Sequence, residues 1–254
     1  APGFSNLALG YHNELMKVTD FQCYVGGLPK KRIWPFEYKA PFSPIDVIEE
    51  YTRPARLVEN GVLVTKPALS ESEIIHLSVF GSVEAFNTDG LRSLVKTMSH
   101  IPNMKEKTMR YPGHIDIMRI LRETGFFSKE KISVNNLEIA PIDLTSQLLF
   151  KEWKLGDTEE EFTVMRIHIS GEENGQEKSY VYDLHDVYHQ ASATSSMART
   201  TGYTCSSVAR LLLNQQFNEI GVFPPELVGK HANCFKSVLN DLREREITIT
   251  ETVE

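Results

Sequence analysis

The chain has 254 residues, enough to bury a sizeable core as one large domain or two small ones. Apolar residues at 41% and charged residues at 24% are ordinary for a globular protein, and a formal charge of −7 argues against a nucleic-acid backbone as partner. No apolar run approaches the roughly 20 residues that cross a bilayer, and no charged-then-apolar signal segment opens the chain, so a cytoplasmic, non-membrane protein is expected.

In chain order, Ala1-Pro2-Gly3 reads as a loop feeding a helix, with Ser5 or Asn6 as its cap and an end near Lys17. Thr19 to Val25 alternates as a strand, with Phe21, Cys23 and Val25 on one face and Gly26-Gly27 as its stop. After the aromatic, proline-punctuated stretch Trp34 to Tyr38, Ser43-Pro44 makes a helix start, with serine as cap, and the helix runs to about Tyr51. Asn60-Gly61 between apolar alternations is the strongest hairpin signal, spanning Arg56 to Thr65. Ile74 to Phe80 reads as a strand, Glu84 to Gly90 as a polar loop, and a short helix follows from Leu91.

Lys107 to Tyr111 reads as a strand and Pro112 to Glu123 as a helix, closed by Gly125. Asp143 to Trp153 is helical by period, and Phe162 to Ile169 with Ser179 to Leu184 forms a second hairpin around Asn174-Gly175. Ser195 or Ser196 caps a helix to about Leu213, Pro224-Pro225 breaks the pattern, and Cys234 to Arg243 gives a last helix. Hairpins interspersed with helices predict an α+β fold, a mixed and largely antiparallel sheet with helices on one face, in a single domain over residues 1–254. Cys23, Cys205 and Cys234 lie far apart and read as reduced thiols.

Missing motifs narrow the chemistry. No two of the 15 glycines are two residues apart, so G-x-G-x-x-G cannot occur, and neither a Walker A loop nor a G-x-S-x-G elbow is present. His185 and His189 have the spacing of a metal pair on a helix, but Tyr180 to Asp186 reads as strand, which separates them, and no metal site is expected. Arg110-Tyr111-Pro112-Gly113-His114 sits at a strand-to-helix junction. There an arginine fork suits a carboxylate, and Tyr111 and His114 could donate or transfer protons. The plainer alternative pairs Arg110 with a surface acid such as Glu106 or Asp116. The loop Phe86 to Gly90 offers polar groups, Asn87 and Asp89 among them, to a cleft, or simply a cap, Thr88 or Asp89, for the next helix. Ala198, Gly202, Cys205 or Ser206, and Ala209 form a small-residue strip that lets another helix, a cofactor ring or a second domain come close.

An ordered set of segments resembles the saccharopine dehydrogenase family, in particular members related to lysine ε-dehydrogenase. These are Ala1 to Asn6, Tyr24 to Pro29, Glu50 to Ala55, Glu84 to Leu91, Arg110 to His114, and Met197 to Tyr203. The resemblance implies the second, substrate-binding and dimerisation domain of an NAD(P)-dependent oxidoreductase for saccharopine, lysine or a similar amine. The glycine-rich Rossmann half that precedes it in the family is missing here. It further implies Arg110 as a substrate-carboxylate anchor, Asn87 and Asp89 in the cleft, and Thr201-Gly202 nearest the nicotinamide. Tyr111 and His114 are added to the substrate side on chemistry alone. NAD or NADP belongs to the full-length parent and none is expected on this chain by itself. Partners are a second copy, in a homodimer, and an amino-acid-like small molecule. The competing reading is a stand-alone dimerisation or ligand-binding domain without catalysis.

Overall fold

The computed structural model describes residues 3–40, 42 and 44–254, which leaves Ala1, Pro2, Pro41 and the expected cap Ser43 outside the described residues. Helix α1 (Phe4–Asn13) leads into strand β1 (Lys17–Pro29), and α2 (Pro44–Thr52) precedes the hairpin of β2 (Ala55–Glu59) and β3 (Val62–Lys66). A second hairpin, β4 (Glu73–Leu77) and β5 (Gly81–Asn87), is followed by α3 (Leu94–Thr97), β6 (Asn103–Arg110) and α4 (His114–Glu123). A small ribbon, β7 (Ile132–Val134) with β8 (Leu137–Ile139), comes before α5 (Pro141–Trp153) and the long hairpin of β9 (Glu161–Glu173) and β10 (Gln176–Val187). Helices α6 (Ser196–Leu213), α7 (Pro225–Gly229) and α8 (Ala232–Glu244) and strand β11 (Thr248–Val253) follow. Among the described residues no helix is long and apolar enough to cross a membrane.

Nine of these strands, among the described residues, share one sheet, in the order β11-β10-β9-β1-β6. Beyond β6 the sheet forks. The β2–β3 hairpin meets the start of β6 at Val58–Met104, and the β5–β4 hairpin meets its end from Lys107 to Arg110. Strands β1 and β6 run parallel and the other named pairs are antiparallel, the mixed sheet that the sequence predicts. Both expected hairpin turns form, because Asn60-Gly61 and Asn174-Gly175 all take positive φ (50°, 79°, 53° and 79°), as the tight two-residue turn requires.

Side chains alternate across a strand, and that period decides what covers each face. Phe21, Cys23, Met165, Ile167 and Ile169 share one face, buried under Phe4 and Leu7 of α1 and Phe235 and Val238 of α8. Helices of the same chain thus cover the apolar face of Met165, Ile167 and Ile169. Toward the forked end, α2, α4 and α5 build a second core from Val47, Tyr51, Ile115, Met118 and Trp153. The opposite face buries Tyr24, Leu28, Met109 and Phe162 beneath Leu77 and Val83 of the β4–β5 hairpin. Where that cover stops, the face is half-buried and polar, with Arg166 forked onto Asp183 at 2.7 and 3.0 Å.

Several expected boundaries move. Ser5 and Asn6 do not cap α1 but lie inside it, buried, with Asn6 Nδ2 donating to Glu226 Oε2 at 3.0 Å, and the helix stops at Asn13. The stretch Glu84 to Asn87 is strand, paired to β6, not loop. Strand β1 continues through Gly26-Gly27 to Pro29, and Pro225 opens α7 as its first helical residue. The three cysteines are free thiols. Cys23 and Cys234 are buried and Cys205 is exposed.

Candidate functional site

The two groups of helices leave a gap between them on one face of the sheet. It is a cleft of about 500 Å³ with Val25, Gly27, Thr108 and Thr163 as floor, Tyr38, Glu50 and Arg110 on one side, and Ser195, Met197, Thr200 and Thr201 on the other. Helix α6 is started there by two caps: Ser195 Oγ accepts from Ala198 N at 3.3 Å, and the buried Glu161 carboxyl accepts from Ser196 N. Burial pushes the Glu161 carboxyl up to about 7. Met197 of α6 lies over Gly27, where a Cβ would stand 1.9 Å from Met197 Cε and would turn that flexible side chain aside. A second cavity of about 240 Å³ adjoins the cleft, shares Glu50, Glu106 and Thr108 with it, and adds Asp46, Glu49, Asp89 and the Arg53 and Arg92 side chains.

Arg110 ends β6 and is 3% exposed. Its Nη2 donates to Glu50 Oε2 at 2.6 Å and to Tyr38 Oη at 3.4 Å, Nη1 donates to Met109 O at 2.9 Å, and Nε donates to Tyr51 Oη at 3.1 Å. The Tyr51 hydroxyl in turn lies 2.8 Å from His114 Nε2, and His114 Nδ1 lies 2.8 Å from the Phe36 carbonyl. A carbonyl can only accept, so Nδ1 carries the imidazole proton and Nε2 accepts from Tyr51. A directed relay therefore runs from Arg110 through Tyr51 and His114 to the backbone at Phe36. Burial and then the Arg110 charge hold His114 down at about 3, which keeps it neutral. Burial opposes the Arg110 charge, but Tyr38, Tyr51 and Glu50 outweigh it and hold the guanidinium protonated.

The expectation of a guanidinium free for a substrate is corrected. Of the five N–H groups in such a fork, four are engaged, and Glu50 occupies a carboxylate position. Nor is either suggested surface acid the partner. Asp116 meets Arg119 at 3.4 Å, and Glu106 is buried and does not bond Arg110. Glu106 instead stands on the wall shared by the two cavities, 6% exposed, with Oε2 lacking a hydrogen-bond partner among the described residues. A Cβ on residue 90 would lie 0.8 Å from that oxygen, so only glycine leaves room for the carboxyl. Burial is the main force pushing Glu106 up to about 7. It therefore exchanges its proton near neutrality. Alternation along β6 puts Glu106, Thr108 and Arg110 on the same face, and that polar period on an otherwise buried strand is the signal that could have found Glu106.

Against known proteins, the family model described as saccharopine dehydrogenase C-terminal domain matches residues 1–247. The chain belongs to this family. Apo saccharopine dehydrogenase (L-Glu forming) from Saccharomyces cerevisiae is similar in fold, with a TM-score of 0.76 and 17% identity, over 100% of this chain and 72% of that one. Homospermidine synthase from Legionella pneumophila in complex with NAD gives a TM-score of 0.59 and 11% identity, over 100% of this chain and 56% of that one.

Within this saccharopine dehydrogenase C-terminal domain the remaining expected residues separate. Tyr111 is in the core of the face opposite the cleft, its hydroxyl donating to Pro29 O at 3.0 Å, because adjacent residues of an extended chain point to opposite sides. His114 is buried behind Arg110 and reaches the cleft only through Tyr51. Asn87 pairs with Lys107 across the strands, and its Nδ2 donates to Glu71 Oε2 at 2.9 Å and Ser70 Oγ at 3.2 Å, away from the cleft. Asp89 lines the second cavity, but its carboxylate holds Arg56 through Nε at 2.8 Å and Nη2 at 3.0 Å. Thr201 lines the cleft, whereas Gly202 is exposed, with nothing within 4 Å of where a Cβ would be. Ala198, Cys205 and Ala209 are exposed as well, so no helix of the described residues packs on the small-residue strip. His185 leans on the Phe80 ring at 6.0 Å and His189 accepts from Ser192 N at 3.3 Å, so the two histidines serve separate contacts.

Proposed function

We propose that this domain is the substrate-binding and dimerisation half of a cytoplasmic NAD- or NADP-dependent oxidoreductase acting on an amino acid or secondary amine such as saccharopine or lysine. One observation carries the reading. A family domain without a glycine fingerprint of its own holds a cleft walled on one side by a fixed Arg110–Glu50 pair and on the other by the bare start of α6. Thr200 and Thr201 offer hydroxyls to the cleft, and the space before Gly202 is open, which fits a flat nicotinamide ring or the domain that carries it. When bound, that ring supplies the hydride chemistry. This chain's residues bind and orient the substrate and exchange its proton. Arg110 acts on the substrate side by fixing Glu50, and Asp89 shapes the adjoining cavity through its grip on Arg56. Asn87 and Tyr111 support the floor from behind.

For dimerisation, the half-buried face around Arg166, His168 and Asp183, where the cover of the β4–β5 hairpin stops, is taken as the surface that meets the second copy. Light scattering on the chain should then give twice 28.9 kDa. The decisive experiment follows absorbance of the reduced dinucleotide when full-length protein is given saccharopine or lysine with NAD or NADP. Turnover is expected there, with no low-micromolar NADH affinity in isothermal titration of the 254-residue chain alone. Tight NADH binding to this chain, or no dinucleotide-linked turnover of any amine by the full-length protein, sinks the proposal.

A further inference from the structure

The charge a ligand meets in the cleft is not that of Arg110. The guanidinium is 3% exposed and sits behind Glu50, whose side chain is 33% exposed. The other carboxyl lining the cleft is Glu106, buried and with Oε2 lacking a partner among the described residues. Both carboxyls also line the second cavity, where Asp89 is committed to Arg56, and Glu49 to Arg53 and Lys129. What the wall between the two cavities offers is therefore hydrogen-bond acceptors with negative charge, one held in place by an arginine and one waiting for a donor.

We propose that Glu50 and Glu106 together receive the positively charged amino group of the substrate, with Arg110 as the positioning residue that fixes Glu50 rather than as the primary anchor of a carboxylate. The inference rests on the amine-oxidoreductase reading for its choice of substrate class but not for its geometry. An ammonium donates its hydrogens singly to separate acceptors, as two carboxyls on one wall require. Metal ions want several ligands at once, and among the described residues no three His, Cys, Asp or Glu side chains converge to supply them. Glu106 changes protonation near neutral pH, facing Glu50 from α2, Asp89 and Arg92 from the loop after β5, and Cys23 from β1. Binding of an ammonium favours its ionised form, so the proton on Glu106 leaves for solvent as the ligand arrives. An amine that arrives already neutral takes that proton itself, and none reaches solvent.

The test is isothermal titration of the full-length protein, without dinucleotide, using pentane-1,5-diamine and the dicarboxylate pentanedioate of equal length. The diamine is expected to bind and pentanedioate not to. At pH 6 the binding heat should depend on the ionisation enthalpy of the buffer, reporting the expelled proton. Glu106→Gln, a neutral isostere of the protonated acid, should weaken the diamine by roughly ten- to a hundredfold at a melting temperature that is not lowered. Equal diamine affinity in Glu106→Gln, preference for pentanedioate, or no diamine binding by the wild-type protein each overturns the proposal, and the last two need no variant. Should the diamine bind through Glu106 while dinucleotide-linked turnover is absent, the amine wall stands and the oxidoreductase reading alone fails.

Discussion

Arg110, Tyr51 and His114 show how a buried charge is kept in place by neutral neighbours. The Tyr51 hydroxyl accepts from one and donates to the other, so Tyr51→Phe strands two buried polar atoms at once. A loss of about 1–3 kcal/mol is expected in denaturant unfolding, and a loss near zero would mean that water replaces the hydroxyl. Arg110→Lys in the full-length protein keeps the charge but cannot span Glu50, Tyr51 and the Met109 carbonyl together. Its kcat/KM should fall about tenfold to a hundredfold, and an unchanged value would remove Arg110 from the site. At this scale the sequence pointed to Arg110 because an arginine beside Tyr-Pro-Gly-His at a strand end is chemically conspicuous. Glu50, Tyr51 and Glu106 were not conspicuous, for their roles come from a meeting of α2 with β6 that no local pattern encodes.

Among the elements, contacts made through glycine decide which helices can approach. A Cβ at Gly10 of α1 would fall 2.0 Å from Glu226 O, and one at Gly229 of α7 would fall 2.2 Å from Leu7 O, so the two helices meet backbone to backbone. Gly10→Ala or Gly229→Ala should cost about 1–3 kcal/mol, because backbone cannot yield as a side chain can. Gly202→Ala, facing open space inside a helix, should instead stabilise this chain by about 0.5–1 kcal/mol. Thermal melts of the three variants check both signs. If Gly202→Ala also weakens dinucleotide-linked turnover in the full-length protein, the strip faces the cofactor domain. The Asn-Gly hairpins and the long amphipathic helices were readable beforehand because their signals are local. The second half of β5 looks like loop in the sequence, since Glu84 and Asn87 are polar and only their pairing with Arg110 and Lys107 across the ladder makes them strand. Helix α7, of five residues, and the three-residue strands β7 and β8 are too short to show a period.

For the molecule as a whole, pH acts through buried groups of opposite sign. Glu106 and Glu161 titrate near 7 in the folded chain against an ordinary 4.5, so their contribution is complete below about 4.5 and is lost as pH rises through 7. Burial holds His12 at about 4 and His114 at about 3 against an ordinary 6.5, so theirs is complete above 6.5 and is lost as pH falls. Between 4.5 and 6.5 the two slopes oppose each other and stability should be nearly level. Glu106→Gln removes one falling slope, and urea unfolding of that variant should show stability rising with pH across the same window. A level profile in the variant would place the Glu106 carboxyl in an ordinary, solvated environment. The α+β class and mixed sheet were foreseeable from hairpins alternating with helices, but the fork at β6, which opens the second cavity, was not, since it depends on which edge each hairpin chooses.

Strand β1 has neighbours that are synthesised long after it. Phe21 lies opposite Met104 on one side and Ile169 on the other, so the centre of the sheet closes only when the chain has been made beyond β9. At a translation speed of about 5–20 residues per second, that is a wait on the order of ten seconds. Until β6 is made Phe21, Cys23 and Val25 have no ladder to join, and until β9 follows the other edge of β1 stays open. On a ribosome this domain is therefore dependent on whatever shelters a nascent apolar strand, and the step that assembles its core is also the step that builds the floor of its cleft.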